Sequence, residues 1–92
     1  MTIKDKEIEM TKRVKEKLDN INYRITMIFT NYDKEGLLRD GSKKELLTTT
    51  FVEPILDKST HIYSDLETLE MLYVQTGPTN FTDIDVFFKP RD

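Results

Sequence analysis

The apolar residues between Ile3 and Gly36 keep the longest rhythm in this chain. Ile3, Met10, Val14, Leu18, Ile21, Ile25, Ile28 and Tyr32 follow one another at steps of seven, four, four, three, four, three and four. At about 100° per residue they fall on one narrow arc of a helix, with Glu7 as a polar interruption. That spacing limits the fold more than any other feature, and it has two readings.

The first reading is a single helix over 3–34. Thr2 with Asp5 three residues on is a capping-box pattern, and Asp5, Glu7 and Glu9 suit the positive end of a helix dipole. Lys34 suits the far end, Gly36 a left-handed stop, and Glu9 with Arg13 the acid-before-base spacing of an i,i+4 pair. The second reading is a helix over 3–19 and a strand over 22–31. Here Tyr23, Ile25, Met27 and Phe29 alternate with Arg24, Thr26 and Thr30, broken only by Ile28, and Asn20 and Asn22 are poor helix formers. Both readings stay open on the sequence.

The first reading has a physical consequence. A helix of some 30 residues spans about 45 Å, whereas a chain of 92 residues makes a body with a radius of gyration near 12 Å. The helix would overhang its own domain. Its stripe of Met10, Val14, Leu18, Ile21, Ile25 and Ile28 is therefore the expected self-association surface, and a homodimer the expected state. The chain has no cysteine, so neither a disulfide nor a thiolate-held metal can supplement a small core.

Beyond Gly36, residues 37–92 read as a small α/β body, and the whole chain as a single domain. Gly36 and Asp40-Gly41 are turn signals, and Ser42 to Glu45 matches a capping box, which predicts a short helical turn. Thr48 to Val52 is strand-like and ends at Pro54. Leu37, Leu38, Ile55 and Leu56 are expected to tuck into the core. His61 to Tyr63 is a short strand. Ser64-Asp65-Leu66-Glu67, followed by Leu66, Leu69, Leu72 and Tyr73 at helical spacing and then Gly77-Pro78, predicts a helix over 65–75. Ile84, Val86 and Phe88 alternate with Asp83, Asp85 and Phe87, which predicts a strand over 81–88. The expected class is α+β: a long amphipathic N-terminal helix, a second short helix and a small antiparallel sheet.

Charge is unevenly spread. Residues 1–20 hold six bases and five acids, whereas residues 53–88 hold seven acids against the single base Lys58. Asp65, Glu67, Glu70, Asp83 and Asp85 form a candidate acidic face for a basic protein partner. Lys12, Arg13, Lys15 and Lys17 form the alternative, a nucleic-acid face on the helix, opposed by Glu16 and Asp19 and by the acidic remainder.

Catalytic chemistry finds little footing. The one histidine, His61, gives no choice of triad, and the glycines are scattered, so no phosphate-cradling loop is present. Asp83 and Asp85 on one strand face are a two-acid match to a cation site, explained as well by solvent-facing alternation. The Met and Tyr residues read as core filler and half-buried packing. No segment is apolar enough for a membrane span and no signal-peptide core opens the chain, so a cytoplasmic location is expected. The absence of alanine beside abundant Lys, Ile, Asn and Thr fits an AT-rich coding source such as a phage or plasmid. The resulting expectation is a small non-enzymatic protein without cofactor or metal. It would act through protein–protein contacts as a regulator or inhibitor, with a dimeric nucleic-acid-binding regulator as the alternative.

Overall fold

The structure, a computed structural model, describes residues 1–89. The fold is α+β. Helix α1 (Ile3–Asn20) is followed by strands β1 (Met27–Leu37), β2 (Lys43–Glu53), β3 (Lys58–Asp65), β4 (Met71–Gln75) and β5 (Phe81–Thr82), and then by a single helical turn α2 (Ile84–Phe87). The strands form one antiparallel sheet in the order β1-β2-β3-β4-β5.

α1 begins where the capping pattern places it. Asp5 N–H donates to Thr2 Oγ1 at 3.1 Å and the Asp5 carboxylate accepts Thr2 N–H at 3.2 Å. It ends at Asn20 rather than near Lys34. Asn22 adopts the left-handed region at φ 57, Asn22 N–H bonds to Asp19 O, and Tyr23 N–H bonds to Leu18 O. This is the paired closure of a Schellman motif, with asparagine in the place glycine usually takes. The helix of 18 residues is about 27 Å long, shorter than the 35 Å long axis of the molecule. Nothing overhangs.

The stripe beyond Leu18 belongs to other elements. Ile21 and Ile25 lie in the connector to β1, while Ile28 and Tyr32 lie on β1 itself. A step of four keeps one face of a helix and, being even, also one face of a strand, so Ile28 and Tyr32 satisfied both periods. Gly36 is no helix stop: it sits at a bulge inside β1, where an added Cβ would lie 2.5 Å from Leu46 Cδ1.

Two sheet faces result. On the helix side, Thr30, Thr49, Ile62, Val74 and Thr82 stand in one cross-strand row. Met10, Val14 and Leu18 pack against Leu47, Phe51, Ile62 and Val74 with no exposure. Each such side chain contributes about 1.5–3 kcal/mol through removal from water. Thr11, Thr30 and Thr49 join the layers by hydroxyl contacts of 2.7 and 2.8 Å. The opposite face carries the row Phe29, Thr50, His61, Gln75 and Phe81.

Three further expectations change. Residues 43–45 begin β2, because Ser42 N–H and hydroxyl both bond to Asp40 Oδ1 and close a hairpin at Gly41 instead of opening a helix. The 65–75 stretch makes a tight turn and then β4. Asp65 Oδ1 accepts the N–H groups of Glu67 and Thr68 at 2.7 and 3.1 Å, as a helix cap does, but Leu69 at φ 61 turns the chain back after one turn. The 81–88 stretch is strand only at Phe81–Thr82, and Asp83 is the N-cap position of α2. Asp83 and Asp85 therefore do not share a strand face.

Candidate functional site

The proposed self-association stripe is distributed through the interior. Met10, Val14 and Leu18 are buried beneath the sheet, and Ile21, Ile25 and Ile28 are half-buried, with Ile25 and Ile28 packed on the same core. The molecule's own sheet covers Met10, Val14 and Leu18 of the surface that the sequence assigned to a second copy.

The five candidate acids separate into different roles. Asp65 is almost fully buried, where Lys44 Nζ pairs with its carboxylate in addition to the two turn N–H groups. The Lys44 contact, followed by those backbone donors, holds its pKa below the usual carboxylate value, and the same contact raises Lys44. Asp65 is thus a structural cap. Asp83 pairs with Arg39 at 3.0 Å. Glu67, Glu70 and Asp85 are exposed, and Glu70, Asp83 and Asp85 border one shallow depression with Met71, Leu72 and Val86.

On α1, Lys12, Arg13, Lys15 and Lys17 all face solvent. Arg13 pairs with Glu9 at 2.7 Å and Lys15 with Asp19 at 3.2 Å, while Lys17 Nζ lies 5.3 Å from the centre of the Phe88 ring. Two of the four bases, Arg13 and Lys15, are thus paired with acids of their own helix.

His61 shares a 2.8 Å hydrogen bond with Thr50 through Nδ1, and burial lowers its pKa, favouring the neutral ring. No carboxylate orients this imidazole among the described residues, and no group of three or more His, Cys, Asp or Glu there has the arrangement to hold a metal ion. Beside it, Tyr63 and Tyr73 stack at 4.8 Å, Tyr63 donates to Gln75 Oε1, and Tyr73 donates to the Leu37 carbonyl at 2.8 Å. Burial raises the pKa of both phenols. These groups lock the open face of the sheet; they are not set out as nucleophile, base and oxyanion donors.

The feature missed from sequence is the β2–β3 turn. Ile55 and Leu56, expected in the core, are 87% and 71% exposed. Glu53 fixes them there: its carboxylate accepts Ile55 N–H at 3.1 Å and Leu56 N–H at 2.6 Å. Asp57 takes the left-handed region at φ 53 and bonds back to Glu53 O at 2.9 Å. Two aliphatic side chains thus stand in solvent on a braced turn. Ile55 and Leu56 also line one side of a depression at its base, together with Asn22, Tyr23, Arg24, Glu53 and Pro54. The available signal was Glu53-Pro54 running into Asp57-Lys58, a turn sequence too short to carry Ile55 and Leu56 back to the core.

No family model matches this chain, and neither the curated proteins nor the solved structures yield a match. Among the described residues no helix is long and apolar enough to cross a membrane.

Proposed function

We propose that this is a small non-enzymatic binding protein that acts through protein–protein contacts as a regulator or inhibitor. The observation that carries this reading is the braced turn holding Ile55 and Leu56 in water. Exposed aliphatic groups on a pre-ordered turn lose little conformational entropy when they enter a partner's pocket, so more of their burial appears as affinity. A mobile loop would lack that advantage.

This reading moves the contact from the acidic stretch to the turn. Two of the five acids have internal cations, Lys44 and Arg39, which weakens their pull on a basic partner. Self-association through the helical stripe is not carried forward, because Met10, Val14 and Leu18 are buried within the chain and Ile25 and Ile28 pack on the same core. The test is affinity capture from the native host with the wild-type chain, with Ile55→Asp/Leu56→Asp and with Glu67→Lys/Glu70→Lys as baits. The turn variant is expected to lose the specific partner while its melting temperature is retained, and the acid variant to keep it. An identical catch with the wild type and the turn variant would overturn the assignment.

A further inference from the structure

The outer margin of β1 has a property that the turn does not share. β1 is an edge strand, paired only with β2. Tyr32 N–H points away from β2, since it donates to Glu7 Oε2 on α1 at 2.8 Å. The register from Met27 to Asp33 is unbroken, so Ile28 and Thr30 direct their N–H and C=O groups outward as Tyr32 does. Glu7 closes the margin at Tyr32. The segment before it has no strand on its outer side among the described residues: Ile28 is half-buried and Thr30, 8% exposed, is largely covered, and their outward groups form a row of the kind that natural sheets usually guard with Lys, Pro or a bulge. Met27 to Asn31 contains none of these guards.

Side chains flank this row above and below. Lys4, Glu7, Ile8 and Thr11 of α1 form one wall of a shallow groove whose other wall is Ile28, Phe29 and Thr30. Ile8 is 61% exposed in that wall. On the opposite sheet face stand Met27, 52% exposed, and Phe29, 40% exposed. A strand added here would set one alternation of its side chains against Ile8 and the other beside Met27 and Phe29.

We propose that the outer edge of β1 from Ile28 to Thr30 is a strand-addition site for an extended peptide segment of a partner protein, apolar on both alternations. The proposal rests on the reading that this protein works by protein contacts, and it names the conformation and chemistry of one contact. A second copy of this chain is disfavoured. Two-fold antiparallel pairing of β1 with itself keeps both helices on the same face, and α1 lies along the margin through Glu7–Tyr32 and Thr11–Thr30. Adjacent strands are about 4.8 Å apart, whereas packed helices need about 8–10 Å. A peptide strand carries no helix and meets no such clash. Main-chain pairing then supplies affinity and the flanking apolar groups supply selection, as in other strand-addition complexes.

The test uses the full chain and a displayed library of random dodecapeptides. Selected peptides should alternate β-branched and aromatic residues. On binding, hydrogen exchange at the Ile28 and Thr30 amides should slow at least about tenfold, with little change at Phe29 and Asn31, which already face β2. Ile28→Pro deletes an outward N–H without touching the β2 ladder, and should weaken binding by about tenfold or more. Phe29→Lys, on an exposed side chain, should do the same and serves if the proline variant does not fold. Selected peptides that bind elsewhere, or a library that yields no binder, would overturn the proposal. If turn-dependent capture from the host persists in that case, only the edge assignment falls. If peptides protect Ile28 and Thr30 while capture ignores the turn, the edge stands and the turn-based reading falls.

Discussion

The two hairpins at the ends of β2 use similar turn chemistry to opposite ends. In the β1–β2 hairpin, Asp40 accepts Ser42 N–H at 2.9 Å, and in the β2–β3 hairpin Glu53 accepts Ile55 N–H at 3.1 Å. The first hairpin is tied across the sheet: Leu37 O receives the Tyr73 hydroxyl, Arg39 pairs with Asp83, and the Arg39 guanidinium lies 5.5 and 5.6 Å from the Tyr73 and Phe81 rings. The second carries Ile55 and Leu56 outward, 87% and 71% exposed. An acid-braced turn is therefore neutral as to purpose; what distinguishes the two is whether the side chains it presents find partners within the chain.

The sharpest test of that contrast makes the same truncation inside β2 and on the turn that follows it. Leu47→Ala should cost about 2–5 kcal/mol, because Leu47 is wholly buried and leaves a cavity. Leu56→Ala should change stability by less than about 0.5 kcal/mol. Urea denaturation of the pair decides it, and a large cost at Leu56 would mean that the turn is structural after all. Next in size is the acid response of Asp65, whose pKa is depressed in the folded chain below its ordinary value of 3.8. Its contribution is fully present above that value and is lost as pH falls through the lower folded value. Asp65→Asn should flatten the fall in stability below about pH 4, and an unchanged acid limb would show that Lys44 does not hold it.

Loosening each hairpin separately comes next. Arg39→Ala removes one exposed pair and two ring contacts and should cost about 1 kcal/mol, partly masked by salt. Glu53→Ala should cost about 1 kcal/mol from the lost turn bonds and should weaken partner capture more than it lowers the melting temperature. Equal stability losses with capture untouched would erase the difference between the two hairpins. The smallest effect belongs to α1. Arg13→Ala, which breaks the Glu9 pair, should cost less than about 0.5 kcal/mol, and gel-shift titration of the wild type with duplex DNA at low salt should show only weak binding.

Local chemistry was the most legible part of the sequence. The Thr2–Asp5 cap and the strands around Thr48–Val52 and His61–Tyr63 follow from short-range spacing, the stop near Asn20 was one of two open readings, and together they yielded the α+β class. Longer inferences failed where one pattern served two geometries. Ile28 and Tyr32 extended the helical stripe on paper because a step of four is even. Asp65 caps a turn as it would a helix, and only the backbone of Leu69 decides that no helix follows. In Ile84, Val86 and Phe88, the alternation spans an element too short for either period to be tested. The candidate surface was nearly invisible, because Ile55 and Leu56 have the composition of a core and only the length of the chain between β2 and β3 places them outside.

The hydroxyl line from Thr11 through Thr30 to Thr49 has a consequence for how the layers find their setting. Oily contacts tolerate sliding, since one aliphatic neighbour replaces another at little cost. The Thr11–Thr30 contact does not: moving α1 along its axis by a single turn would break it, leaving Thr30 with Thr49 on the sheet and Thr11 with the Glu7 carbonyl on its own helix. The Thr11–Thr30 pair thus acts as an index mark, favouring the alignment of the helix on the strands in which Glu7 meets the margin of the sheet.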